Sequence, residues 1–179
     1  MRSLERAEGT TRIILFLGSN IGNFDDDQLE DFLSRLSEIT SRNDKLLIGF
    51  DLMKSPGIIM QAYDDPHGLT REFNINHLRR INREMGADFD TRSFEHEQVY
   101  DEITGEMKSY LLSCKDQIVM IEDPPTQISF FKGERIFMEL SRKFSIIGIN
   151  ELAPYYGFRV INNFTDRRNY FIDSLWIKE

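Results

Sequence analysis

Residues 13–17, Ile-Ile-Leu-Phe-Leu, form an unbroken apolar run that stops at Gly18. A run this short and this apolar, closed by glycine, reads as a strand covered on both faces, as in a parallel sheet. After a glycine-containing turn, residues 24–39 place Leu29, Phe32, Leu33, Leu36 and Ile39 on one helical face. Asp25, Asp26 and Asp27 stand at the end where a helix dipole favours acid. Residues 45–52 (KLLIGFDL) read as a second buried strand. The opening is therefore β-α-β, which implies a parallel pair joined by a right-handed crossover. With no strand before it, this is an incomplete doubly wound sheet, and strand 13–17 is expected to present an unpaired edge.

Further along, Ser55 and Pro56 suit a helix start leading towards Tyr63, and a longer helix carries Leu78, Ile81, Asn82 and Met85 up to Gly86. The pattern then changes. Val99 and Tyr100, Thr104 and Gly105, and residues 107–112 suggest a hairpin. Residues 118–121 and 128–131, separated by Pro124 and Pro125, add two short strands. Residues 146–156 read as a helix ended by Gly157, and 158–164 with 170–177 as a closing antiparallel pair. The sum is an α/β protein with a largely β insertion.

The net charge of −8 argues against a sequence-independent nucleic-acid binder. Arg79, Arg80 and Arg83, the densest basic cluster, read at helical spacing as a solvated face. No apolar run is long enough to span a bilayer, residues 1–12 do not resemble a secretory signal, and a cytoplasmic protein is expected. A lone cysteine, Cys114, excludes an intrachain disulfide and a cysteine-rich zinc site, and reads as a buried, inert thiol.

Three segments carry chemistry. Gly18, Ser19, Asn20, Ile21, Gly22 and Asn23 follow the first strand, where open α/β sheets bind ligands. A tight strand-to-helix turn accounts for the same residues. Residues 62–70, with Tyr63, Asp64, Asp65 and His67, form a polar loop between helices that could equally be an ordinary connection. Three histidines without metal-ligand spacing predict no metal site. In 133–144, an extended chain would put Glu139 and Ser141 on one face and Met138 and Leu140 towards the core, whereas a helix would separate the first two.

In this order, the runs FLGSNIGNF (16–24), LLIGFDLMKSP (46–56), AYDDPHGLTREFNINHLRRINREMGADFD (62–90) and FKGERIFMELSRKF (131–144) resemble the histidine-specific methyltransferase family of ergothioneine biosynthesis. The likeness extends from about Ile13 to Trp176. It implies an α/β fold: the C-terminal part of a Rossmann-like class I methyltransferase sheet with an inserted, mostly β substrate-binding subdomain. The corresponding division is 13–90 for core strands and helices, 91–145 for the insertion and 146–179 for the closing elements. The implied activity is N-methylation of an amino acid, histidine or a related amine, with S-adenosylmethionine as cofactor and no acid–base catalytic residue.

The resemblance also assigns roles. Asn23 looks like the asparagine that holds the substrate's amino and carboxylate groups, and Tyr63 like the tyrosine that binds the carboxylate. Glu139 and Ser141 look like the pair that hydrogen-bonds the imidazole. Gly18, with Ser19, matches the strand tip near the cofactor. Ser109 stands where the histidine enzymes have a methionine lining the imidazole pocket, which implies a more polar or wider pocket. The family's cofactor loop would precede Ile13, and no G-x-G-x-G occurs in this chain. The expectation is thus a portion of a methyltransferase, inactive without a cofactor-binding half, and alternatively a non-catalytic amino-acid-binding or interaction module. A homodimer or a separate N-terminal partner would then form through residues 13–17.

Overall fold

The computed structural model describes residues 10–63 and 68–179. In chain order the elements are β1 (Ile13–Phe16), α1 (Asp26–Ile39), β2 (Lys45–Asp51), α2 (Pro56–Tyr63), α3 (Leu69–Met85), β3 (Phe94–Asp101) and β4 (Glu106–Ser113). There follow β5 (Gln117–Ile121), β6 (Thr126–Phe130), β7 (Arg135–Arg142), α4 (Ile146–Tyr155), β8 (Phe158–Thr165) and β9 (Phe171–Lys178). They divide into two compact units: one formed by the chain up to Met53 with Arg142–Glu179, the other by Lys54–Ser141. Helices α2 and α3 group with the β-rich segment, so a boundary at residue 90 falls inside the second unit.

In the first unit a four-stranded sheet has the order β1-β2-β9-β8. The β1–β2 pair is parallel, as the β-α-β pattern requires, and β9 then pairs antiparallel with both β2 and β8. One face buries Leu46, Ile48 and Phe50 of β2 with Ile172 and Trp176 of β9, against Leu29, Leu33 and Leu36 of α1 and Ile149 and Ala153 of α4. Helix α1 starts on a capping box: Asp25 accepts from the Gln28 backbone N–H, and the Gln28 side chain accepts from that of Asp25. Trp176 is fully buried, lies 6.0 Å from the Phe50 ring and 5.9 Å from that of Phe158, and donates its indole N–H to Ser174.

Strand β1 corrects one expectation. It is not covered on both faces: Ile14 and Phe16 pack on the core, while Ile13 and Leu15 are 62% and 59% exposed. Among the described residues β1 is an edge strand, and its outer face has no layer over it. The start of β2 is fastened to it by Asp44, which is buried and accepts from the backbone N–H and guanidinium of Arg12 and the backbone N–H of Ser41. Burial pushes the Asp44 carboxyl up, but these donors outweigh it and hold its pKa at about 2.

In the second unit, β3, β4 and β7 form a three-stranded sheet, and β5 and β6 form the second hairpin. Its core joins Ile75 and Leu78 of α3 to Phe94, Leu111, Val119 and Phe130, with Phe89 beneath the helix end. Helix α3 stops where Gly86 turns left-handed, and Asn82 clasps the returning chain: its amide donates to the Phe89 carbonyl and accepts from the Phe89 N–H. Arg79 pairs with Glu72, and Arg80 and Arg83 with Glu84, all exposed, so the basic cluster is a solvated face. Cys114 is half-buried, and burial raises its thiol pKa. No helix among the described residues is long and apolar enough to cross a membrane.

Candidate functional site

The segment after β1 turns at two consecutive left-handed residues, Gly18 (φ +79°) and Ser19 (φ +42°), and continues as a short 3-10 helix, Asn20–Asn23. Among the described residues nothing lies within 4 Å of where a Cβ on Gly18 would sit, which leaves its backbone open to a ligand. Gly22 and Gly49 are glycines for another reason. A Cβ on Gly22 would stand 2.6 Å from the Arg142 carbonyl oxygen, and one on Gly49 would stand 2.7 Å from the Phe171 ring and 3.0 Å from the Gly18 nitrogen. The turn is thus wedged between backbone on one side and β2 on the other. Ile21 is buried beneath it and Asn23 is exposed on it. Two ion pairs brace the surroundings: Arg142 to Asp26 at 2.7 Å, and the buried Lys143 to Asp51 at 2.8 Å.

The second unit carries the other residues. Tyr63 is the last residue of α2 and is half-buried. Asp64, Asp65, Pro66 and His67, singled out in the sequence, lie outside the described residues. Residues 135–142 are extended, which settles the choice between strand and helix. Ile136 and Met138 pack on the buried cluster that includes Leu111, while the Phe137 ring meets Tyr110 at 5.8 Å on the opposite side of the sheet. Strand alternation therefore places Glu139 and Ser141 on the face of Phe137 and Tyr110. Both are half-buried, and among the described residues the Glu139 side chain makes no hydrogen bond or ion pair.

Ser109 shares the other face of β4 with Leu111, is 1% exposed, and its hydroxyl has no hydrogen-bond partner among the described residues. The structure thus brings Glu139 and Ser141 together and puts Ser109 on the far side of the same sheet. Sequence reasoning passed over the aromatic and basic residues on the same face of the sheet as Glu139. Tyr110 lies beneath the Arg135 guanidinium at 5.4 Å, and Arg135 donates to Glu97 at 2.8 Å. The alternation of 106–113 held that signal, since Tyr110 faces opposite Ser109.

Comparison with known proteins places these residues in a family. The family model for histidine-specific, SAM-dependent methyltransferases matches residues 1–178. Histidine N-alpha-methyltransferase of Mycolicibacterium smegmatis is 34% identical over 93% of this chain and 52% of that protein. The enzyme of the same name from Mycobacterium tuberculosis is also 34% identical, over 97% of this chain and 54% of its own length. Ergothioneine biosynthesis protein 1 of Schizosaccharomyces pombe is 32% identical over 89% of this chain and 21% of its own. The chain spans about half the length of the two bacterial relatives. S-adenosylmethionine is the family's cofactor, and the open Gly18 backbone is compatible with a ligand at the strand tip. A chain matched almost end to end by that model belongs to the histidine-specific, SAM-dependent methyltransferase family.

Proposed function

We propose that this chain is the substrate-holding portion of an amino-acid N-methyltransferase acting on the α-amino nitrogen of histidine or a related amine. The observation that carries the reading is Glu139: a half-buried carboxylate without a partner among the described residues, one alternation from Ser141 on a strand face. An N–H donor on a ligand would supply the partner that the described residues do not give this half-buried carboxylate. An imidazole N–H donating to Glu139 forms a charge-assisted hydrogen bond, roughly twice as strong as a neutral one. Ligands without that N–H leave the carboxylate unpaired and are rejected. Ser141 takes the other side of the ring. Ser109, on the opposite face, is assigned no direct contact with the same group; its small side chain shapes the strand from behind.

Asn23 and Tyr63 hold the amino and carboxylate end in this reading. S-adenosylmethionine, when bound, supplies the electrophilic methyl group. Transfer to an amine needs the neutral nitrogen lone pair held in line, so this chain contributes orientation rather than acid–base chemistry. Gly18 keeps its place at the strand tip free of a side chain that would crowd the reacting nitrogen. Among the described residues β1 is an edge strand, which supports pairing there with a further element or a second copy.

Titrating L-histidine into the isotopically labelled protein tests the reading. Saturable amide shifts are expected at residues 18–23 and 139–141. Absence of shifts at both segments would refute it, and histidine binding without S-adenosylmethionine binding would favour a non-catalytic amino-acid-binding module.

A further inference from the structure

The first unit has a recess at the other end of β2 from the Gly18 turn. Gly18 lies against Gly49 near the finish of β2, whereas Lys178, which lines the recess, donates its backbone N–H to Asp44 before β2 begins. The recess is a solvent-open cavity of about 560 Å3 bounded by Glu30, Ser37 and Glu38 of α1, Tyr155 and Tyr156 at the end of α4, and Lys178. Its volume falls within the range of small-molecule sites, about 300–1,000 Å3.

Its electrostatics are lopsided. The last turns of α1 and α4 both reach it, and neither contains a basic residue. Two helix C-termini therefore present carbonyl partial charge there, met by the Arg12 guanidinium at Ile39 and the Lys178 ammonium at Tyr156. Glu30 and Glu38 make no ion pair among the described residues and add two carboxylates. The Tyr155 and Tyr156 rings stand 5.0 Å apart at 74°, a two-sided aromatic corner, with Tyr155 77% exposed. Carboxylates beside tyrosine faces are the groups that attract an organic ammonium.

Lys178 is fixed against this background. Its ammonium donates to the Ser37 hydroxyl at 2.6 Å and to the Tyr156 carbonyl at 3.1 Å, and sits 4.8 Å from the Phe158 ring centroid. Residue 157 is a glycine at φ +73°, and a Cβ there would come 2.7 Å from the Lys178 nitrogen. The backbone thus makes room for this amine. An ammonium has three N–H donors, and among the described residues two of them make hydrogen bonds while the Phe158 ring face lies on a further side.

We propose that the recess binds a small zwitterionic amine, of the class of an amino acid or its N-methylated derivative. The ligand's carboxylate pairs with the Lys178 ammonium, and its own ammonium rests in the tyrosine corner between Glu30 and Glu38. This site is independent of the one assigned to Glu139.

Trimethylglycine, which carries a quaternary ammonium and a carboxylate, is the probe, followed by amide shifts in the labelled protein. Saturable shifts are expected at Glu38, Gly157 and Lys178, with roughly millimolar affinity given the open mouth. Choline and acetate, each offering one of the two charges, are expected to bind at least about tenfold more weakly. The Glu30→Gln/Glu38→Gln double variant and, separately, Tyr155→Ala alter exposed side chains. Each is expected to weaken trimethylglycine binding at least about tenfold with the melting temperature unchanged. The proposal is overturned by no saturable shift at those three amides, by shifts confined to residues 18–23, or by choline binding as tightly as trimethylglycine.

Discussion

Gly22 lies against the backbone of Arg142, so close that a methyl group on it would come within 2.6 Å of the Arg142 carbonyl oxygen. The obstructing atom is backbone held by β7 and by the Arg142–Asp26 pair, and it cannot swing aside as a side chain would. Gly22→Ala is therefore expected to destabilise the protein by about 1–3 kcal/mol. Urea denaturation measures this, and a loss below about 0.5 kcal/mol, the level of a neutral surface change, would show that the contact relaxes freely.

Glu139→Gln replaces a carboxylate by an amide of the same shape. Because Glu139 has no partner among the described residues, folding stability should change little. Histidine binding should weaken by about 1.5–3 kcal/mol, the range of a hydrogen bond to a charged group. Calorimetric titration of wild type and variant side by side decides the matter; equal affinities would remove Glu139 from the site.

Asp44 supplies a pH dependence. Its folded pKa of about 2 lies below the ordinary value of 3.8, so its stabilisation is present above about pH 4 and is lost as pH falls towards 2. The contribution is on the order of 1–2 kcal/mol after allowing for the partial exposure of Arg12. Asp44→Asn should flatten the fall in stability between pH 4 and 2, read by urea midpoints; an unchanged acid slope would contradict this.

Ile13, Leu15 and Leu17 are 62%, 59% and 48% exposed on and just after the edge strand β1. Leu15→Lys puts a charge on that face, the device by which edge strands avoid pairing. Sedimentation should show the wild type associating with itself or with a cofactor-binding half, and the variant doing so less, at similar stability. A wild type that stays monomeric at high concentration and gains nothing from such a half would rule out pairing at this edge.

Much of the architecture could be read from local pattern. The run KLLIGFDL, the Asp25 cap and the Gly86 and Gly157 stops lie where the structure has β2, α1 and the ends of α3 and α4. What sequence left open depends on distant partners. Residues 137–144 fit a strand or a helix until β4 is beside them, and β9 lies between β2 and β8 through pairings more than a hundred residues long in one direction. For Glu139 and Ser141 the spacing of two was informative once the segment proved extended. Ser109 was not readable in this way, because its face follows from packing of Leu111 and Met138 rather than from its own type. The glycines at 22 and 49 look alike in sequence to Gly18, yet two are steric necessities and one is open.

The protein has one tryptophan, and Trp176 is sealed between Phe50 and Phe158 in the first unit. Its emission is consequently an optical marker for that unit, silent about the strands and helices of 54–141. Far-ultraviolet ellipticity averages over both. A mismatch between the two melting curves would resolve the molecule into separately cooperative blocks, and coincident curves would make it a single one.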